Sequence, residues 1–213
     1  MIKTLRAVFV FFALVSVAGG AFAGGDAKAG ADKSALCQGC HGAVGMSVNP
    51  ECPNLAGQKP GYIIKQLQDF IDGKRQNDTM SPMAALAGSV QDRKDIAAYF
   101  STQKSMDGKR YQLAPMPSDK KKIAAGKEIF LHGNPRTGLY GCVNCHGLHG
   151  KGKSPTNEIF PVIGGQHKDY LVKQLTDFHM TTRHNDPANM MMDIGKRLSK
   201  KEIDEVTDYL ASL

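Results

Sequence analysis

Hydrophobic residues recur along much of the chain at the three- and four-residue spacing that places them on one face of a helix. The clearest apolar faces are Tyr62, Ile63, Leu67 and Phe70; Ile123, Gly126, Ile129 and Phe130; Tyr170, Leu171, Leu175 and Phe178; and Ile203, Val206, Tyr209, Leu210 and Leu213. Ser199 and Glu202 have the spacing of a capping box, which predicts that the last of these helices begins there. No segment alternates convincingly between polar and apolar residues as a half-buried strand does. The pattern therefore predicts an all-α fold built of short helices.

The chain also contains an internal duplication. The segment at 53–58 (PNLAGQ) recurs at 161–166 (PVIGGQ), at a spacing of 108 residues. Further pairs at this spacing are Tyr62 and Tyr170, Lys65 and Lys173, Gln66 and Gln174, Arg75 and Arg183, and Asn77 and Asn185. Such self-similarity predicts two homologous domains, residues 24–105 and 118–213. Residues 106–117 contain glycine and proline without helical periodicity and are predicted to be a linker.

The first 23 residues have the pattern of a secretory signal peptide. Lys3 and Arg6 precede an apolar run at 7–18, and Ala21-Phe22-Ala23 offers small residues at a cleavage site. The alternative is a retained membrane anchor, but the run is shorter than the roughly 20 residues of a spanning helix. We therefore expect cleavage after Ala23 and export to the periplasm, with no later segment apolar enough to span a bilayer. Peripheral association with the inner membrane stays open.

Charge excludes one class of partner. The formal net charge is +7, of which Lys3 and Arg6 in the predicted signal supply two. The rest is mildly basic and lacks interleaved basic and aromatic residues, which argues against nucleic-acid binding. Lys120, Lys121 and Lys122 are interpreted as the solvated first turn of a helix.

Two Cys-x-x-Cys-His motifs, at 37–41 and 142–146, carry the clearest chemistry. In this motif each thiol adds to a vinyl group of one haem, and the histidine that follows becomes the proximal ligand of the iron. Two such motifs in a duplicated unit behind a signal peptide predict two covalently bound haem c groups. The predicted attachment residues are Cys37, Cys40, Cys142 and Cys145, and the predicted proximal ligands are His41 and His146.

Three other interpretations of these cysteines compete with haem attachment. Zinc uses similar ligands, but each motif offers only three close donors and no second pair lies nearby. A thioredoxin-like redox pair expects a βαβ setting that the pattern does not show. A disulfide in an oxidising compartment is the third alternative.

The second axial ligand of each iron has to come from elsewhere in the chain. Methionine is the usual partner in electron-carrying cytochromes and raises the reduction potential. Met80 and Met191 lie in similar contexts, each followed three places on by an apolar residue and later by the terminal helix. We predict these two as ligands, with Met83, Met190 and Met192 as rivals. The alternative is that these methionines only fill gaps in the core.

Three further features accompany the motifs. Pro53 and Pro161 begin the duplicated segments, and a backbone carbonyl near them is a candidate hydrogen-bond acceptor for the proximal histidine, although a plain turn is the alternative. The remaining histidines are interpreted as surface or loop residues: His132, His149, His167, His179 and His184. Cys52, the odd fifth cysteine, is interpreted as a small buried apolar residue because Phe160 occupies its repeat position.

The chain resembles the di-haem cytochrome c4 family over nearly all of the sequence after the predicted signal. The resemblance rests on both haem motifs, on 55–58 (LAGQ) and 164–167 (GGQH), on 65–69 (KQLQD) and 173–178 (KQLTDF), on 97–100 (AAYF) and on the closing helix. It implies two class I cytochrome c domains ligated by His41 with Met80 and by His146 with Met191. It also implies a periplasmic shuttle between a quinol-oxidising cytochrome bc complex and a terminal oxidase. Cys52 departs from the family, which commonly has an aromatic residue there.

These observations predict an electron carrier and not an enzyme. One alternative is the haem subunit of a periplasmic dehydrogenase, such as a sulfide-oxidising flavocytochrome, which is also duplicated. Another is a di-haem peroxidase, which needs a displaceable iron ligand and normally a longer chain. A methionine candidate in each unit argues against the peroxidase.

Overall fold

The computed structural model describes residues 24–104, 117–153 and 157–213. The predicted signal peptide at 1–23 and nearly all of the predicted linker at 106–117 lie outside these ranges. In the first unit the helices are α1 (Ala27–Lys33), α2 (Ala35–His41), α3 (Pro60–Ile71), α4 (Met80–Ala85) and α5 (Val90–Thr102). In the second they are α6 (Lys120–His132), α7 (Val143–His146), α8 (Lys168–His179), α9 (Met190–Arg197) and α10 (Lys200–Ala211), with 3₁₀ turns at Leu148–Gly150 and Pro187–Asn189.

The all-α prediction is confirmed. Within the described ranges, the one extended pairing is an isolated bridge between Asn134 and Leu139. No helix in this part of the chain is long and apolar enough to cross a membrane.

Each unit is built on a crossing of its first and last helices. Helix α1 packs on α5, and α6 packs on α10; α3 also packs on α5, and α8 also packs on α10. The first core comprises Ile63, Ala87, Ile96, Ala97 and Phe100. The second comprises Ile129, Phe130, Leu139, Leu171, Leu198, Ile203, Val206, Tyr209 and Leu210. Most residues of the predicted apolar faces lie in these two cores or pack against them. Tyr62, Phe70, Tyr170 and Phe178 do not, and they contact Arg75 or Arg183 instead.

Side-chain caps fix where the terminal helices begin. The predicted capping box is present at the start of α10. The Ser199 side chain accepts from the Glu202 backbone N–H, and the Glu202 side chain accepts from the Ser199 backbone N–H. A second box, Ser89 with Asp92, starts α5, and the sequence pattern alone did not single it out. Asp119 accepts hydrogen bonds from Lys121 and Lys122 at the start of α6, so the predicted lysine-rich first turn is confirmed.

Polar residues of the duplicated segments meet across an interface between the two units. The hydrogen bonds that bridge it through the two arginines are Arg75 to Tyr170 (3.2 Å), Arg75 to Gln174 (2.7 Å), Arg183 to Tyr62 (3.2 Å) and Arg183 to Gln66 (3.1 Å). Each guanidinium also stacks on a phenylalanine of its own unit, Arg75 on Phe70 and Arg183 on Phe178. The bonds are therefore related by an approximate two-fold axis that follows from the duplication.

Candidate haem-binding sites

Helix geometry brings the first Cys-x-x-Cys-His motif onto one surface. Cys37, Cys40 and His41 lie on α2 at the i, i+3 and i+4 spacing, at which side chains share a helix face. In the second unit Cys142 is the residue before α7, and His146 is the last residue of that helix. Both histidines end their helices and are buried, at 5% and 6% exposure.

A proline carbonyl fixes the ring of each predicted proximal histidine. His41 Nδ1 lies 2.8 Å from the carbonyl oxygen of Pro53, and His146 Nδ1 lies 2.9 Å from that of Pro161. A carbonyl oxygen only accepts hydrogen bonds, so Nδ1 must carry the proton and Nε2 keeps its lone pair. The expectation of a carbonyl near these prolines is confirmed.

Burial keeps both rings in the form that binds a metal. Loss of solvation lowers the pKa of His41 and of His146, because the charged imidazolium is disfavoured in the interior. The hydrogen bond to the proline carbonyl opposes this effect but is the smaller cause. At neutral pH each histidine therefore presents a neutral Nε2 donor.

The predicted attachment cysteines differ in exposure. All five cysteines lie in the described part of the chain, and none forms a disulfide. Cys40 is exposed, whereas Cys37, Cys142 and Cys145 are half-buried. Burial raises the pKa of Cys37, and it raises the pKa of Cys142 to about 11.

Cys52 lies beside the first motif. Burial raises the pKa of its thiol, with a further contribution from the neighbouring Cys40. Its repeat partner Phe160 places its ring edge-on to His146, with 6.4 Å between ring centroids. The position thus lies beside the Cys-x-x-Cys-His motif in both units. Cys52 is only half-buried, less than its interpretation as a buried residue implies.

The candidate methionines lie in the first turn of equivalent helices. Met80 is the first residue of α4, and Met191 is the second residue of α9. Asn77 Oδ1 accepts a hydrogen bond from the Met80 amide (2.8 Å), and Asp186 Oδ2 accepts one from the Met191 amide (2.7 Å). Side-chain oxygens thus anchor the backbone of both candidates. Their rivals lie in the same short helices, so the choice among them stays a prediction.

The residues of each unit include the kinds of donor group that ligate a haem iron. A neutral imidazole Nε2 and a methionine thioether are the pair found in electron-carrying c-type cytochromes. The paired thiols beside each histidine have the spacing for covalent attachment. Two such units in one chain define a tandem c-type cytochrome.

Comparison with known proteins agrees with this class. The cytochrome c family model matches residues 27–104 and 123–213. Cytochrome c4 of Pseudomonas aeruginosa is 40% identical over 202 residues, which is 93% of this chain and 94% of that protein. The chain therefore belongs to the cytochrome c family, in its di-haem cytochrome c4 branch. Its two domains bind covalently attached haem c.

Two further relatives bear on fold and function. The crystal structure of reduced recombinant cytochrome c4 from Pseudomonas stutzeri superposes with a TM-score of 0.78 at 37% identity, covering 89% of this chain and 99% of that one. A thiosulfate dehydrogenase electron acceptor of Stutzerimonas stutzeri is 34% identical over 188 residues, or 87% of this chain and 83% of that protein. The c4 relatives imply a di-haem electron-transfer protein.

Two histidines take part in contacts that the sequence pattern does not indicate. A surface or loop position is predicted for His167, but it is half-buried, and its Nε2 lies 3.0 Å from the Ser47 carbonyl oxygen across the interface. His179 ends α8, and its Nδ1 lies 2.9 Å from the Gly195 carbonyl oxygen on α9. Neither has a counterpart in the first unit, so the repeat gives no signal for them.

Proposed function

We propose that the protein is a periplasmic electron carrier that takes electrons from a quinol-oxidising cytochrome bc complex and delivers them to a terminal oxidase. The observation that carries this proposal is the pairing of the two sites. The proline segments that orient His41 and His146 hydrogen-bond the opposite unit, so both sites belong to one interface. A pair of sites held in this way suits relay of electrons more than chemistry on a substrate.

Each unit is proposed to hold its haem with the same four kinds of residue. The thiols attach the macrocycle, the histidine is the proximal ligand and the methionine is the distal ligand. The sets are Cys37, Cys40, His41 and Met80 in the first domain, and Cys142, Cys145, His146 and Met191 in the second. When bound, each haem supplies a one-electron couple.

The chain's own groups set the conditions for that couple. The proline carbonyls accept from Nδ1–H and so fix each imidazole ring, which leaves Nε2 as the atom that would bind the iron. The methionine thioether favours reduced iron and raises the potential.

Export to the periplasm is part of the proposal. It rests on residues 1–23, which have the pattern of a cleavable signal. Intact mass of the purified protein should equal that of residues 24–213 plus two haem groups. A mass with the first 23 residues retained would contradict export with cleavage, and a mass with fewer than two haems would contradict the proposed attachment residues.

Reconstituted electron flow tests the respiratory role. The protein is added to a purified bc complex and a purified oxidase with quinol as donor, and oxygen uptake is recorded. We expect uptake to depend on the carrier and to saturate with it. A holoprotein that is fully reduced by the bc complex but is not reoxidised by the oxidase would contradict the proposed destination.

A second function is favoured by one of the relatives. The thiosulfate dehydrogenase electron acceptor is similar over most of both chains, which supports an acceptor role for a periplasmic dehydrogenase acting on an inorganic sulfur compound. This role uses the same two sites and differs only in the donor. Rapid reduction by thiosulfate with its dehydrogenase, but not by quinol with the bc complex, would select it over the respiratory role.

A further inference from the structure

Two buried glutamines each make a pair of hydrogen bonds between the two units. Gln166 of the second unit accepts a hydrogen bond from the Asn54 amide (2.8 Å) and donates to the Asn54 carbonyl (3.0 Å). Gln58 of the first unit makes the same pair with Val162, at 2.9 Å and 2.8 Å. Gln58 is 5% exposed and Gln166 is 4% exposed, so water does not compete strongly for these bonds.

Each backbone amide that donates to one of these glutamines belongs to the peptide group whose carbonyl accepts from a predicted proximal histidine. The N–H of Asn54 and the carbonyl of Pro53 are the two ends of one planar peptide unit. That carbonyl accepts from His41 Nδ1, while the N–H donates to Gln166 Oε1. One peptide therefore links a ring in the first domain to a side chain in the second.

The second domain repeats this chain of bonds. The peptide between Pro161 and Val162 accepts from His146 at its carbonyl and donates to Gln58 at its N–H. Hydrogen bonds at the two ends of a peptide reinforce each other, because donation by the N–H increases the negative charge on the carbonyl oxygen. Each glutamine thus strengthens the acceptor of the histidine in the opposite domain.

We propose that Gln58 and Gln166 are cross-domain positioning residues: Gln166 tunes the haem held by His41, and Gln58 tunes the haem held by His146. A stronger acceptor at Nδ1 makes the imidazole more basic and favours oxidised iron. The potential of each haem then depends on a side chain of the other domain. The inference rests on the two histidines being the proximal ligands, as proposed above.

The test uses the haem-loaded full chain with Gln166→Leu. In the reduced, diamagnetic protein the Nδ1–H proton of each histidine is assigned by NMR. We expect the His41 proton to move upfield and to exchange with solvent at least about tenfold faster, because its acceptor is weakened and less firmly held. The potential of that haem should rise, and the His146 proton should stay in place.

Three further variants distinguish a specific effect on one histidine from a general change of the interface. Gln58→Leu should move the His146 proton and leave that of His41 unchanged. Gln166→Glu keeps an acceptor oxygen in either protonation state, so the His41 proton should not move upfield; this variant also serves if Gln166→Leu does not fold. Gln174→Leu is the matched control, since Gln174 accepts from Arg75 across the same interface and, among the described residues, its hydrogen bonds go to arginines and not to either proline segment.

The outcomes separate this inference from its alternatives. Equal movement of both protons in Gln166→Leu, or the same movement in Gln174→Leu, would mean general loosening of the interface and would overturn the proposal. No movement of the His41 proton would overturn it as well. Failure of the ligand assignment is distinguishable, because an unligated His41 would not show the ring-current-shifted signals of a haem ligand in the unsubstituted protein.

Discussion

Gly30 on α1 lies directly against the carbonyl oxygen of Asp95 on α5. A Cβ atom built on Gly30 would sit 1.9 Å from that oxygen and 2.9 Å from the Cβ of Tyr99. The same contact recurs in the second unit, where a Cβ on Gly126 would lie 1.9 Å from the Glu205 carbonyl oxygen. The crossing of first and last helices in both domains therefore depends on a residue without a side chain.

Gly30→Ala is expected to destabilise the first domain. The added methyl meets backbone atoms, which cannot turn away, so α1 has to move off α5 at a cost of about 2 kcal/mol or more. Guanidinium unfolding followed by circular dichroism measures this change. Lys28→Ala is the control, because Lys28 is an exposed residue of the same helix; it should be close to neutral. Equal losses in both variants would contradict the packing argument.

Met191→Ala is expected to abolish methionine ligation in the second domain. A thioether ligand gives ferric haem a weak near-infrared charge-transfer band, and its loss should also lower the potential of that haem. The measurement is the near-infrared spectrum of the oxidised protein with a redox titration. Met190→Ala and Met192→Ala are the matched controls in the same helix. If one of these loses half of the band intensity and Met191→Ala does not, the assignment passes to that residue.

Asp95→Asn is expected to weaken the packing of α1 on α5 in a pH-dependent way. The Asp95 carboxylate accepts from Lys33, from the Asp26 amide and from Gln91, and these bonds lower its pKa from 3.8 to about 2. A lowered carboxyl pKa contributes stability that is present above the ordinary value and is lost as the pH falls through the folded value. The variant should therefore be less stable than the unsubstituted protein at pH 7.

The pH profile checks the cause. The stability difference between the two proteins should be constant from about pH 5 to 8 and should narrow between about pH 4 and pH 2, as the carboxyl protonates. Asp32→Asn is the control, because Asp32 is an exposed residue of α1 with no ion pair among the described residues. A difference that stays the same at about pH 2 would mean that the carboxylate charge does not contribute.

Charge on the second domain is expected to steer an acidic partner. Lys151 and Lys153 are exposed and make no ion pair in the described ranges. Steering by such charges raises the encounter rate and weakens as the Debye length falls with salt. Electron transfer to the purified oxidase should therefore slow steeply as ionic strength rises, and Lys151→Glu with Lys153→Glu should slow it at low salt.

Lys28→Glu with Lys104→Glu is the matched pair in the first domain, where both lysines are exposed. Lys33 is unsuitable for this purpose because it is paired with Asp92 and Asp95. Equal slowing by the two pairs, or a rate that does not respond to salt, would remove the case for a docking face on the second domain.

The haem motifs, the helix starts and many core positions can be predicted from the sequence, because each depends on residues only a few positions apart. Cys-x-x-Cys-His sets its own spacing along a helix, the Ser199–Glu202 box sets a helix start, and helical periodicity marks Ile203 and Val206 as core. The internal duplication further predicts that the chain contains two such units. These features depend on backbone geometry over one or two turns, which sequence spacing determines directly.

The tertiary structure decided what the repeated polar residues do. The repeat pairs Gln58 with Gln166 and Arg75 with Arg183. Their spacing does not predict that each of them hydrogen-bonds the other domain. Their bonds join residues that are far apart in sequence, so they exist only after two folded units dock. The same holds for His167, whose partner Ser47 lies in the other unit. The sequence alone predicts the cofactor chemistry of each domain. Only the docking of the two units determines that His41 and His146 each hydrogen-bond a peptide group that a glutamine of the opposite domain also contacts, because a hydrogen bond depends on proximity in space and not on spacing along the chain.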